Sequence, residues 1–134
     1  MKTINHESYV SLETAKLLKK AGFHWDCYEL YEREYEQDGR TSAETSANWN
    51  STSDYYSAPT LEVAQRWLRE MKDISVDISS TSYGGWEYII RKISQPNHKD
   101  NVILALTACR FYTYEEAKEA GIKKTLEIIL EKGE

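Results

Sequence analysis

Side chains able to do chemistry crowd together at one place in this sequence of 134 residues, the tetrapeptide His24-Trp25-Asp26-Cys27. An imidazole, a carboxylate and a thiol are all possible zinc ligands. In an extended strand, however, His24 and Asp26 face one side and Cys27 faces the other. Structural zinc sites draw on two pairs of ligands. Of the other two histidines, His6 lies near the N-terminus and His98 lies in a predicted loop. We therefore expect no metal and no cofactor here, and interpret the tetrapeptide as a junction between a helix and a strand.

The two cysteines, Cys27 and Cys109, are the candidate nucleophiles. A catalytic thiol needs a nearby base and electropositive surroundings that lower its pKa. Cys27 is followed by several acidic residues, which would raise a thiol pKa, and Cys109 belongs to an apolar stretch typical of a core. The sequence contains no phosphate-binding loop, no Gly-x-Ser-x-Gly and no His-Glu-x-x-His motif. These observations favour a non-enzymatic protein and leave an enzyme as an open alternative.

Negative charge is concentrated in residues 26–44, which we call the acidic segment. It carries seven acidic and two basic residues, so its net charge of -5 equals that of the whole chain. Tyrosines are interleaved with the acids, and tyrosine covers contact area at low cost in entropy. We predict that the segment binds a basic partner through Tyr28, Glu29, Tyr31, Glu32, Glu34, Tyr35, Glu36 and Trp49. The open alternative is a solvated edge strand whose charges prevent edge-to-edge pairing.

Positive charge forms a smaller patch at Lys16, Lys19 and Lys20. Acidic residues lie near this patch in the sequence, both before and after it. We therefore expect the three lysines to form an ordinary solvated helix face.

Three helix starts share a hydroxyl residue followed by a glutamate in the first turn, a pattern that satisfies free N–H groups and the helix dipole. They predict helices at residues 11–21, 60–72 and 114–131. Thr113 and Glu116 also have the spacing of a capping box. Gly121 lies inside the third helix, where glycine is less favourable than alanine by about 1 kcal/mol unless another part of the chain packs closely.

Between the second and third helices, the apolar period changes from 3.6 to 2. Alternation predicts strands at 74–79 and 86–91, and the apolar run at 102–111 predicts a strand covered on both faces. The C-terminal half is therefore predicted to be α-β-β-β-α. Residues 25–35 fit neither period, and we favour a strand over a short helix because Asp38-Gly39 signals a turn. Residues 41–54 are small and polar, which indicates a long loop or an irregular edge strand.

Residues 60–131 resemble double-stranded RNA-binding domains in the order of their elements, and residues 116–118 with 126–129 look like the last helix of that family. The resemblance implies a duplex held by lysines at the start of this helix. The sequence here instead has Tyr114, Glu115 and Glu116, and carboxylates repel phosphate at a helix N-terminus. We expect the likeness to be topological, and nucleic-acid binding is the alternative function.

A second resemblance covers most of the chain. It rests on residues 11–15, 19–23, 58–60, 67–70 and 113–117, which are similar to small uncharacterised proteins encoded by phages and prophages of gut bacteria. The resemblance implies a bacterial or phage origin and a cytoplasmic setting. That family carries no established activity, so no functional residue is transferred to this chain.

Together, these patterns predict a single α+β domain spanning residues 1–134, with an antiparallel sheet of four or five strands and three helices. Unpaired cysteines and the absence of an apolar leader predict a cytoplasmic protein. No apolar run approaches the ~20 residues of a membrane span, so we expect no membrane association. The predicted function is that of a non-enzymatic accessory protein of a bacterial mobile element, binding an unidentified protein partner.

Overall fold

The computed structural model describes residues 8–35, 39–93, 102–107 and 110–132. The described part contains three α-helices, α1 (Leu12–Ala21), α2 (Leu61–Lys72) and α3 (Tyr114–Glu131). It contains six strands, β1 (Cys27–Glu32), β2 (Thr41–Ala47), β3 (Tyr55–Ser57), β4 (Ile74–Ser80), β5 (Trp86–Lys92) and β6 (Val102–Leu106). Single 3-10 turns follow at Arg33–Tyr35 and Trp49–Ser51. The three predicted helices and the α+β class are confirmed.

Each helix begins at the predicted hydroxyl cap. The Ser11 and Thr60 hydroxyls accept hydrogen bonds, each of 3.2 Å, from the third residue of their helices. At α3 the Thr113 hydroxyl accepts the Glu116 N–H at 3.0 Å, and the Glu116 carboxylate accepts the Thr113 N–H at 3.1 Å. The predicted capping box is therefore present. Gly22, with φ at 96°, ends α1 in the left-handed conformation that glycine adopts without strain.

The strands form two sheets, which corrects the prediction of one sheet with four or five strands. The first sheet has the order β2-β1-β3 and the second the order β4-β5-β6, and both are antiparallel. Leu30 of β1 pairs with Thr41 on one side and with Ser57 on the other, so the N-terminal half builds a sheet of its own. The sequence did not reveal this because β3 has three residues and β2 lacks apolar alternation. Residues 25–35 are mainly strand, as we favoured, and end in a 3-10 turn.

The second sheet has the predicted α-β-β-β-α arrangement, but β6 differs from its prediction. β6 pairs with β5 alone and is an edge strand of the described sheet. Val102, Ile103 and Leu106 are all more than half exposed. The prediction that this strand is covered on both faces was wrong, because α3 packs against β4 and β5 instead.

One apolar core includes residues of both sheets, and α3 contacts α1, α2, β4 and β5. Leu18 and Phe23 from the N-terminal half join Trp67, Ile90 and Leu126 from the C-terminal half in one buried cluster. Phe23 and Trp67 meet edge to face, with their ring centroids 5.4 Å apart. The two sheets are therefore held by shared hydrophobic packing.

Candidate functional site in the acidic segment and the neighbouring basic cleft

Of the predicted binding residues that the structure describes, Tyr28, Glu34 and Tyr35 are exposed, and we call these three the tyrosine edge. Tyr28 lies in β1, where the register shifts between Cys27 and Glu29, and its side chain is 60% exposed. Glu34 and Tyr35 follow in the 3-10 turn, and Tyr35 is 52% exposed. No hydrogen bond or ion pair of the Glu34 side chain occurs within the described ranges. These three side chains can therefore be reached by another molecule.

Two aromatic residues predicted to bind a partner are instead tied into the fold. Tyr31 is 9% exposed, and its hydroxyl donates a hydrogen bond of 2.8 Å to the Val10 carbonyl oxygen. Burial raises the pKa of Tyr31. The Trp49 indole N–H donates a bond of 2.7 Å to the Cys27 carbonyl oxygen. Both residues therefore form hydrogen bonds within the fold, Tyr31 as a buried residue and Trp49 as a partly buried one.

The carboxylates of Glu29 and Glu32 accept hydrogen bonds from residues of β2 and from Arg40, which directly precedes β2. Arg40 Nε lies 3.2 Å from Glu29 Oε1, and the Ser42 hydroxyl donates to the same carboxylate. Thr41 Oγ1 donates a bond of 3.3 Å to Glu32 Oε2. Both glutamates therefore help to fix β2 against β1. Glu36, the remaining predicted residue, lies outside the described residues.

The His24-Trp25-Asp26-Cys27 junction does not gather its chemical groups into a site. Cys27 is buried, and desolvation with a smaller contribution from Asp26 raises its thiol pKa to about 12. His24 is exposed, and its Nδ1 lies 3.3 Å from the Gly22 carbonyl oxygen. Within the described ranges, no group of three or more His, Cys, Asp and Glu side chains could hold a metal ion. A neutral thiol of this kind is a poor nucleophile.

A cleft of about 470 Å³, which we call the basic cleft, lies beside the acidic segment. It is lined by Lys16, Lys19, Lys20, Arg33, Ser53 and Tyr56. Lys16 Nζ and Lys19 Nζ lie 5.8 Å and 5.2 Å from the centre of the Tyr56 ring. The sequence predicted only a solvated lysine face, because the helical spacing of the lysines gives no sign that Arg33 and Tyr56 fold against them.

A second cleft that the sequence did not reveal, of about 220 Å³, lies where α2 and α3 begin. At its wall Lys118 is 2% exposed, forms an ion pair with Glu62 and lies 5.2 Å from the centre of the Tyr114 ring. Lys118 is in helical phase with the buried residues Ile122 and Thr125, and this phase is the signal that could have revealed its burial. The ion pair gives the buried ammonium group of Lys118 a counter-charge and connects α2 to α3.

Comparison of the chain with protein-family models, with curated proteins and with solved structures finds no match. No helix in the part of the chain that the structure describes combines the length and the apolar composition needed to cross a membrane.

Proposed function

We propose that this protein is a non-enzymatic binding module, an accessory protein of a bacterial mobile element that docks onto a basic surface of another protein. The observation that carries the proposal is the tyrosine edge, where Tyr28 and Tyr35 are more than half exposed and Glu34 is exposed as well. Exposed aromatic side chains are typical of protein interfaces. The net charge of -5 in the acidic segment would attract and orient a basic partner.

Four of the predicted binding residues form hydrogen bonds within the molecule, so the proposal rests on the other exposed ones. Tyr31 and Trp49 donate their polar hydrogens to the main chain inside the molecule. Glu29 and Glu32 are hydrogen-bonded to β2 and to Arg40 beside it. Reversing the charge of these glutamates would break bonds of the fold as well as any interface. A test of binding therefore belongs on the tyrosine edge alone.

The test compares two triple variants that remove the same side-chain types. The first is Tyr28→Ala, Glu34→Lys, Tyr35→Ala on the tyrosine edge. The matched control is Tyr83→Ala, Tyr112→Ala, Glu131→Lys, at positions that are also exposed. Each protein is used to capture partners from a bacterial lysate, and a captured protein is then purified and titrated.

We expect the edge variant to bind the captured partner at least about tenfold more weakly than the wild type, because it loses aromatic contacts and gains a like charge. The control should bind within about twofold of the wild type, since exposed substitutions far from an interface are nearly neutral. Both variants should keep their melting temperatures within a few degrees. Equal retention of the partner by the edge variant and the control would reject the proposal.

Nucleic-acid binding through the C-terminal half is the competing function. Glu115 and Glu116 are exposed at the start of α3, and Glu116 forms part of the capping box. Both carboxylates stand where a duplex phosphate would have to approach, and repel it. A gel-shift experiment with duplex RNA and duplex DNA at low salt separates the two functions. We expect no shift at micromolar protein, and a shift would favour the competing function.

A further inference from the structure

The basic cleft brings together cationic side chains from two separate elements. Lys16, Lys19 and Lys20 come from one side of α1, and Arg33 comes from the 3-10 turn after β1. The Tyr56 ring of β3 lies beneath the ammonium groups of Lys16 and Lys19. None of the six lining residues carries a carboxylate. The cleft therefore gathers four cationic side chains on a protein whose net charge is -5.

Lys19 is held in place before any ligand arrives. Its Nζ donates a bond of 2.8 Å to the Tyr55 carbonyl oxygen and a second bond to the Thr52 carbonyl oxygen. A lysine fixed in this way has already lost its rotamer freedom, so a ligand does not have to order it. The cleft is thus preorganised for a negatively charged group.

The positive charges of Lys19 and Arg33 also repel each other in the free protein. Burial lowers the pKa of Lys19, the neighbouring positive charge of Arg33 lowers it further, and Asp54 opposes the shift. An anion placed among these groups would offset the repulsion and replace the lost hydration of the ammonium group. The cleft therefore gains more from an anionic occupant than the same lysines would gain on an open surface.

We propose that the basic cleft binds a small ligand carrying two or more linked phosphate groups. Separated cations on α1 and on the turn can contact different phosphates of one chain, and a guanidinium such as that of Arg33 suits phosphate oxygens. A volume of about 470 Å³ lies within the range of small-molecule sites. The adjoining acidic segment would repel a long polyanion, which favours a short one. This inference goes beyond the proposed protein-binding function and uses different residues.

The experiment is a calorimetric titration of the full chain with inorganic tripolyphosphate at low salt. The variant Lys16→Gln, Lys20→Gln removes two cations of the cleft, and Lys124→Gln, Lys132→Gln removes two exposed cations that do not line it. Lys19 is left intact because its bonds hold the neighbouring loop. We expect saturable binding by the wild type, a loss of about tenfold or more in the cleft variant, and a change within about twofold in the control.

Two further ligands, a nucleoside triphosphate and a long oligonucleotide, distinguish the source of the phosphates. A nucleoside triphosphate that binds as tightly as tripolyphosphate would show that the cleft contacts only the phosphate chain, and tighter binding would identify a nucleotide ligand. Either result supports the proposal if the changes in amide chemical shift on adding the ligand are largest at residues 16–20, 33 and 56. The proposal is overturned if the wild type does not bind tripolyphosphate, if both variants lose the same affinity, or if only a long oligonucleotide binds.

Discussion

The thiol of Cys27 shows how a single residue can lose the chemistry that its sequence neighbours suggest. Desolvation in the core raises its pKa from the ordinary 9.0 to about 12, and Asp26 adds to the shift. The sequence predicted the direction from the nearby acids. Burial, which depends on the contact of β1 with the rest of the core, is nevertheless the larger cause.

We expect Cys27, in a Cys109→Ser background, to resist a thiol reagent in the folded protein and to react rapidly once denatured. Because the folded state holds the thiol proton more tightly, its contribution to stability is complete below the ordinary pKa and falls as the pH rises from there towards about 12. Urea unfolding at neutral and at alkaline pH measures this loss. The Cys27→Ala variant should show a shallower loss, with the remainder including Tyr31, whose pKa is also raised. Rapid labelling of the folded protein would contradict the prediction.

Gly121 lies where α3 packs closely against the second sheet, and a substitution there tests this packing. A Cβ at this position would lie 2.8 Å from Val76 Cγ1 and 3.1 Å from the Tyr88 Cβ, so α3 approaches the second sheet only because no side chain intervenes. We expect Gly121→Ala to lower the free energy of unfolding by roughly 1–3 kcal/mol, since overpacking exceeds the gain in helix propensity. Chemical denaturation measures the change. A stabilised variant would show that the sheet can move away at little cost.

The ion pair between Lys118 and Glu62 connects two elements, because it joins the first turn of α2 to the second turn of α3. Replacing Lys118 by methionine keeps most of the buried volume and removes the buried charge, so we expect stability to be unchanged or increased. Glu62→Gln instead leaves the buried ammonium without its counter-charge. We expect this change to reduce stability by roughly 1–3 kcal/mol.

Thermal unfolding of the two variants, together with Lys118→Met, Glu62→Gln, checks this argument. The double variant should resemble Lys118→Met, because the glutamine then faces no buried charge. If Lys118→Met is less stable than Glu62→Gln, the ammonium group of Lys118 has a role beyond its ion pair between the two helices. It would direct attention to the cleft at the start of α2 and α3.

At the scale of the whole molecule, the shared core predicts that both sheets unfold together. Leu126 of α3 is fully buried in the cluster that includes residues of both halves. We expect Leu126→Ala to destabilise the protein by about 2–5 kcal/mol. Hydrogen exchange of amides in β1 and in β5 should register the same loss, as one cooperative domain requires. If only the amides of β5 lost protection from exchange, residues 1–134 would form two cooperative units and not the predicted single domain.

The sequence alone determined those features that depend on neighbouring residues. Hydroxyl caps and glutamates placed all three helices, and the change of period placed β4 and β5. Each of these signals acts within one or two turns or between adjacent strands, so it can be interpreted from a short window. The acidic segment was equally visible, because charge can be counted from the sequence.

Only the tertiary structure decided which residues of that segment face water. In β1, Tyr28 is exposed and Tyr31 is buried, while Glu29 and Glu32 accept hydrogen bonds from Arg40 and from β2. The division into two sheets, the exposed β6 and the meeting of Arg33 with the lysines of α1 likewise depend on residues distant in the chain. Such contacts arise from the packing of whole elements, whose energies are summed over many side chains and leave no local pattern.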